Sequence, residues 1–159
     1  MKPKILISAC LLGEKVKYDG GDNALHVKRI EAWKEAGVLV SVCPEVLGGL
    51  SIPRTPSEVV LGQKRVINAL GKDVTEAFNK GAKETLRIVK NEGVVMAILK
   101  ARSPSCGKGV IYDGTFTGTK VSDSGITCKM LQEQGIAVFS EEELEEASAF
   151  YTNIHSHGH

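Results

Sequence analysis

The sequence has few aromatic residues, no long apolar run and no C-x-x-C pair of cysteines, and each absence excludes a class of protein. Aromatic residues make up 5% of the 159 residues, too few for a platform that stacks nucleic-acid bases. The formal net charge is only +1, so neither nucleic acid nor an anionic membrane is indicated as a partner. The first apolar stretch ends at Gly13, well short of a membrane span, and no other segment reaches that length.

The length and composition are typical of one soluble globular domain. A chain of this size can bury one well-packed core but not two, so we expect a single α/β domain over residues 1–150 and a frayed C-terminal tail over residues 151–159. No export signal is evident, and the expected location is cytoplasmic. In that reducing compartment, cysteines are metal ligands or catalysts more often than disulfide partners.

Four short apolar runs are predicted to be buried strands, and helical patterns lie between them. Strands that alternate with helices indicate β-α-β units with right-handed crossovers. The predicted fold class is therefore α/β, as a single-domain three-layer sandwich with a mainly parallel sheet and helices on both faces. The predicted strands are residues 4–9, 38–42, 94–99 and 136–139.

Capping signals predict where the helices begin. Asn23 is a favourable N-cap for a helix that ends at Gly37, and the segment Asp73–Glu76 has the spacing of a capping box. Ser140–Glu143 is a second capping box, which opens the terminal helix. The other predicted elements are a helix over residues 123–134 and two hairpins over residues 58–67 and 110–121.

Three of the four cysteines follow predicted strands. Cys10 and Cys43 each close an apolar run, and Cys106 lies in the loop after the third run. The carboxyl ends of parallel strands share one edge of the sheet, where α/β proteins bind their ligands. The sequence therefore predicts that three thiols converge on one metal or cluster site. Cys128 lies inside a predicted helix and is interpreted as a small buried hydrophobe.

Three thiolates leave several functions open. A structural zinc site takes four ligands, whereas a 4Fe-4S cluster held by three cysteines keeps one open iron that can act as a Lewis acid. The protein is then a cluster-dependent enzyme, a non-catalytic carrier or sensor that binds a cluster or zinc, or a metal-free enzyme with a nucleophilic cysteine. The weaker candidate ligands are His26, His155, His157 and His159.

Polar side chains surround the cysteines in sequence. Glu45 follows Cys43 by two residues, and a carboxylate this close to a cluster can act as a general acid or base. Arg54 either binds a carboxylate or anchors its loop, and the acidic run 141–146 is interpreted as a solvated helix face. Two loops have the composition of a substrate site, although turns and serine caps explain them equally well. Their candidate residues are Tyr18, Asp19, Lys100, Ser103 and Ser105.

Three sequence blocks resemble the signature blocks of the DUF523 family, which includes bacterial iron–sulfur thiouracil desulfidases. The blocks are SACLLGEKVKYDGG, VCPEVLGGLSIPRTPSE and LKARSPSCGKGVIYDG. The resemblance implies a 4Fe-4S cluster bound by Cys10, Cys43 and Cys106, with one open iron that takes the sulfur of a thiolated pyrimidine such as 2-thiouracil. It also implies that Glu45 and Ser103 are the catalytic residues.

The resemblance implies a hydrolytic desulfidase reaction. Water replaces the sulfur of the base without a redox change, and the products are the oxo-base and hydrogen sulfide. The expected partners are a small thiolated base or thioamide and the iron–sulfur assembly machinery that loads the cluster. We predict that the three cysteines, Glu45 and Ser103 face one cavity, with Cys128 distant from it.

Overall fold

The computed structural model describes residues 2–60 and 64–157, and the side chains of residues 155–157 lie outside the description. The candidate ligand side chains of His155, His157 and His159 are therefore not among the described ones, and His26 is exposed. The strands are β1 (Lys4–Ser8), β2 (Leu39–Val42), β3 (Ser57–Val60), β4 (Arg65–Asn68), β5 (Val94–Leu99), β6 (Ile111–Tyr112), β7 (Lys120–Val121) and β8 (Ala137–Ser140). The α-helices are α1 (Lys28–Glu35), α2 (Pro44–Leu47), α3 (Thr75–Glu92), α4 (Ile126–Glu133) and α5 (Leu144–His157).

A four-stranded parallel sheet with the order β2-β1-β5-β8 forms the centre of the fold. In its register, Leu6 of β1 pairs with Val40 on one side and Ala97 on the other, and Ala97 pairs in turn with Val138. Each strand lies within one residue of its predicted position. All four strands end at the same edge, so the loops that follow them meet there.

Alternating side chains of the sheet pack against helices on both faces. Ile5 and Ile7 lie in one core cluster with Trp33 of α1 and Tyr151 of α5, whose rings meet edge to face at 5.7 Å. Leu6 and its neighbours form a second cluster with α3 and α4. Because successive strand residues point to opposite faces, the apolar runs bury both sides, and the predicted three-layer sandwich is confirmed.

Two predicted helix caps do not form, because other contacts take their place. The backbone amide of Asn23 donates to Cys10 O at 3.0 Å and that of Leu25 donates to Leu11 O at 2.9 Å, and α1 begins only at Lys28. Asp73 does not cap a helix through a capping box; its Oδ1 accepts the Thr75 amide at 2.9 Å, and α3 begins at that threonine. The helix predicted from residue 123 begins at Ile126.

The C-terminal segment begins as predicted. Ser140 and Glu143 form a capping box, which opens a 3-10 turn followed by α5. Helix α5 runs across the boundary predicted at residue 150, and Tyr151 beyond it is buried with its hydroxyl 2.6 Å from Pro3 O. Among the described residues, no helix is long and apolar enough to cross a membrane.

The two predicted hairpins form, and both are antiparallel. Strand β3 pairs with β4 and β6 pairs with β7; residues 61–63 of the first turn lie outside the described residues. Glu58 of β3 joins the hairpins because its Oε1 accepts the amides of Gly114 and Phe116 at 3.0 and 3.2 Å. The hairpins contribute Ser57 and Tyr112 to the cavity described next.

Candidate active site

Cys10, Cys43 and Cys106 line one cavity of about 370 Å³ at the carboxyl edge of the sheet. Cys10 lies in the 3-10 turn that follows β1, Cys43 is the N-cap of α2 directly after β2, and Cys106 lies in the loop after β5. Cys128 lies instead in α4, fully buried in the core cluster on one face of the sheet. Three separate loops therefore bring three thiols to one space, as the strand pattern predicts.

Burial raises the pKa of all three thiols above the ordinary value, most strongly for Cys106. Hydrogen bonds from Asn23 to Cys10 and from Ser8 to Cys106 oppose the increase without overcoming it. The thiols are thus protonated at neutral pH, and metal binding would displace these protons. A nucleophilic cysteine needs the opposite shift, so the site does not favour a metal-free thiol enzyme.

The donor set fits a polynuclear cluster better than a single ion. Among the side chains of residues 2–60 and 64–154, no three His, Cys, Asp or Glu residues converge closely enough to hold one metal ion. In an iron–sulfur cluster, each thiolate binds a different iron, so the sulfurs surround the core rather than meet at a point. Three thiols that line one cavity without meeting at a single point therefore fit such a cluster better than one ion.

Glu45 lies on α2 and lines the same cavity. Its Oε2 accepts a hydrogen bond from Nε of Arg54 at 3.1 Å, and the side chains of Arg54 and Glu45 are only 8% and 17% exposed. Burial raises the pKa of the Glu45 carboxyl, although Arg54 counters part of that increase. A raised pKa makes this carboxylate a stronger base than a solvated one, which suits general base catalysis near neutral pH.

Ser103 lines the cavity and also organises the loop that carries Cys106. Its Oγ accepts the amides of Ser105 at 3.1 Å and Cys106 at 2.9 Å, and its carbonyl accepts the amide of Gly107 at 2.8 Å. The two amide bonds to Oγ, from Ser105 and Cys106, occupy both lone pairs of the hydroxyl oxygen. The hydroxyl proton remains available, so Ser103 can donate to a bound ligand but is a poor acceptor.

Lys100 lines the cavity and is held there by Glu141. The Lys100 ammonium lies 2.9 Å from Glu141 Oε2, and the other oxygen of that carboxylate accepts the Ala101 amide at 2.7 Å. The amide of Lys100 donates to Ser8 Oγ at 2.9 Å. The start of the Cys106 loop is therefore fixed between the end of β1 and the segment after β8.

Glu141, Glu142 and Glu143 together form what we call the glutamate clamp. Glu142 pairs with Arg102 at 3.1 Å, and Glu143 contacts the Lys108 ammonium at 2.9 and 3.0 Å. The interpretation of the acidic run as a solvated face fits the exposed Glu142, but Glu141 and Glu143 are half-buried, and all three pair with cations of the loop 100–108. The sequence contains both the three cations and the three consecutive acids. It gives no sign that the loop 100–108 and the segment 141–143 are neighbours in the fold.

The structure separates the predicted substrate-binding residues into two groups. Tyr18 lines the cavity, together with Lys100, and is 44% exposed. Asp19 instead closes its own turn, with Oδ1 accepting the Gly21 amide at 2.9 Å. Ser105 is fully buried and its hydroxyl lies 2.7 Å from that of Thr127. Neither Asp19 nor Ser105 is among the residues that line the cavity.

The chain is similar to proteins of one family along almost its whole length. Residues 5–143 match the family described as 2-thiouracil desulfurase. The chain is 40% identical over 151 residues to "Uncharacterized protein YbbK" of Bacillus subtilis (strain 168), across 89% of this chain and 98% of that protein. The solved structure of the 4Fe-4S-dependent thiouracil desulfidase TudS matches with a TM-score of 0.91 and 40% identity, over 95% of this chain and 99% of that one.

Proposed function

Because the chain belongs to the 2-thiouracil desulfurase family, we propose that it is an iron–sulfur desulfidase acting on a thiolated pyrimidine such as 2-thiouracil. The observation that carries this proposal is the shared cavity, which three strand-end cysteines and the buried Glu45 line together. The similar structure of TudS belongs to a 4Fe-4S-dependent thiouracil desulfidase, which supports the same cofactor and substrate class for this chain.

Cys10, Cys43 and Cys106 would hold the 4Fe-4S cluster, as the only three cysteines that line the described cavity. Bound by three thiolates, the cluster supplies a Lewis acid for the thiocarbonyl sulfur and needs no change of oxidation state. Lys100 adds positive charge to the cavity near Cys10. We expect loading by cytoplasmic iron–sulfur assembly machinery.

Glu45 is the proposed general base of a hydrolysis. It takes one proton from the water that attacks the ring carbon and passes it to the departing sulfur, and the proton of the added hydroxyl group follows to the sulfur as the oxo group forms. The new C–O bond replaces the C–S bond, so one water is consumed, the oxo-base and hydrogen sulfide are released, and no electrons are transferred. Among the described residues, nothing hydrogen-bonds the second carboxylate oxygen, Oε1, which leaves it available to the water.

Ser103 is the proposed hydrogen-bond donor to the substrate ring. Its hydroxyl oxygen already accepts two backbone amides, so the remaining function of the group is to donate. A donor suits a ring oxygen or nitrogen that gains negative charge as water adds to the carbon.

Anaerobic reconstitution with iron and sulfide, followed by a sulfide-release assay on a panel of thiolated bases, tests the proposal. We expect a coloured protein that releases one sulfide for each oxo-base formed. A colourless protein with stoichiometric zinc would support the carrier or sensor instead. Sulfide release by metal-free protein, blocked by alkylation of one thiol, would support the cysteine nucleophile.

A further inference from the structure

Arg54 contacts both the candidate base and a neighbouring loop of the cavity. We propose that Arg54 is a positioning residue that fixes the Glu45 carboxylate and holds the segment 14–21 against the site. The part that concerns Glu45 rests on the proposed function, whereas the hold on the segment 14–21 does not.

The Arg54 guanidinium uses each of its three nitrogens on a different partner. Nε donates to Glu45 Oε2 at 3.1 Å, Nη1 donates to Ser51 O at 3.2 Å, and Nη2 donates to Val16 O at 2.9 Å. The planar guanidinium fixes the angles between these three bonds. The two backbone carbonyls therefore set the orientation of the group, and the group in turn sets the orientation of the Glu45 carboxylate.

The contact between Arg54 and Glu45 is one-sided. Among the described residues, only Oε2 of the carboxylate is hydrogen-bonded, because Nη1 and Nη2 donate to the carbonyls rather than to Oε1. A bidentate pair would engage both oxygens, whereas here Oε1 keeps both of its lone pairs for a water molecule. The observed geometry supplies a counter-charge to the buried carboxylate while one oxygen stays free for the reaction.

Arg54 also binds the segment 14–21 at two points. Its side chain donates to Val16 O, and its backbone amide donates to Tyr18 O at 2.6 Å. Val16, Lys17 and Tyr18 all line the cavity. Within the segment, Lys17 N donates to Gly21 O and Gly20 N donates to Lys17 O, and Glu14 at its start is bonded to Ala9 O and to the Ser41 hydroxyl. Loss of the Arg54 side chain would therefore loosen the middle of this wall, at Val16, while the backbone bond to Tyr18 O remains.

Lysine cannot reproduce these bonds, because it carries one ammonium in place of a three-sided planar group. We expect Arg54→Lys to keep the charge beside Glu45 and to lower kcat by about a hundredfold, the usual consequence of a small misplacement of a reacting group. We expect KM to rise as well, because the cavity wall at residues 14–21 loosens. Arg87→Lys is the matched control, since Arg87 pairs with Glu84 on the exposed surface of α3.

A double-mutant comparison shows whether Arg54 acts through Glu45. In reconstituted protein, Arg54→Lys should lower kcat strongly in the wild-type background and not at all when Glu45→Gln is already present. An equal loss of kcat in both backgrounds would overturn this part of the proposal. Arg54→Met, measured in the same two backgrounds, also removes the positive charge beside Glu45. If Arg54→Met does not fold, the two backgrounds are compared with Arg54→Lys alone.

Hydrogen exchange of the metal-free protein tests the hold on the segment 14–21 without any activity. The amides of Lys17 and Gly20 should exchange about tenfold faster in Arg54→Lys, the factor expected for one lost hydrogen bond. Unchanged exchange would refute the hold. If the wild-type protein releases no sulfide from any thiolated base, the proposed function fails. The exchange measurement still decides whether Arg54 holds the segment 14–21, because it needs no activity.

Discussion

Gly48, which follows α2 directly, and Gly81 of α3 pack backbone to backbone where the two helices meet. A Cβ atom on Gly48 would clash with the carbonyl oxygen of Ala77, and one on Gly81 would clash with that of Pro44. Neither backbone carbonyl can move aside as a flexible side chain would. The close approach therefore requires glycine at both positions, and it fixes the one-turn helix that carries Glu45 against the long helix of the core.

The first prediction concerns this helix contact. Gly81→Ala should lower the free energy of unfolding by about 3 kcal/mol, because the added methyl group forces α2 away from α3. Urea denaturation of the metal-free protein measures the change. Gly37→Ala is the control: that residue has φ +71° but open space around its Cα, so only backbone strain of about 1 kcal/mol is expected. Equal losses at the two positions would contradict the packing argument.

The second prediction concerns the cysteines as a set. Replacing any one of Cys10, Cys43 and Cys106 by alanine should abolish stable cluster binding, because the remaining two thiols cannot hold the cluster. Cys128→Ala should keep the full iron and sulfide content and cost about 1 kcal/mol of stability through a small cavity. Iron and sulfide analysis after anaerobic reconstitution measures both effects.

The loaded structure provides a direct check on the cysteine set. The three ligand sulfurs should lie roughly 6–7 Å apart around a 4Fe-4S core. A loaded protein in which Cys128 is a ligand, or in which one of the three predicted thiols is not, would show that the ligand set is wrong.

The third prediction concerns Glu45. Glu45→Gln should leave the visible absorption of the reconstituted cluster intact and lower desulfuration by about 10²–10⁴-fold, the usual contribution of a general base. In the wild-type enzyme, the rate should fall as pH decreases through the pKa of Glu45, because the protonated carboxyl cannot accept a proton. Burial raises that pKa, so the midpoint should lie above the value of a solvated glutamate, about 4.3. A variant with full activity would exclude Glu45 as the base.

The fourth prediction concerns the glutamate clamp. Glu141→Gln should destabilise the metal-free protein by about 1–3 kcal/mol, because it weakens a charged hydrogen bond to Ala101 and removes the negative charge that pairs with the Lys100 ammonium. Glu142→Gln is the matched control: that carboxylate is 59% exposed, and its ion pair should contribute at most about 1 kcal/mol. Chemical denaturation measures the free energy of unfolding of both variants. A larger decrease for Glu142→Gln than for Glu141→Gln would contradict the stronger structural role assigned to Glu141.

The sequence alone determined the sheet and the meeting of the three cysteines. Each strand is a short apolar run, and the two central ones, β1 and β5, bury both faces. This pattern is independent of any particular partner, so all four strands were predicted within one residue. Parallel β-α-β units then place all strand ends at one edge. The meeting of Cys10, Cys43 and Cys106 at that edge follows from this topology and does not depend on how the side chains pack.

The tertiary structure decided the details that depend on contacts between distant segments. Asn23 has the chemistry of an N-cap, but its contacts with Cys10 keep it outside the helix. Ser103 and Ser105 are equivalent by sequence, yet one lines the cavity and the other bonds with Thr127. A polar side chain takes the best partner that the fold brings within about 3 Å.

The same reason explains why Arg54 and the glutamate clamp have no clear signal in the sequence. Arginine beside prolines and a run of acids are both typical of exposed surface. Their partners lie far away in the chain: Arg54 reaches Val16 across 38 residues, and Glu141 reaches Ala101 across 40. Apolar periodicity determines which residues are buried, but which charges meet is decided only when the loops close over the edge of the sheet.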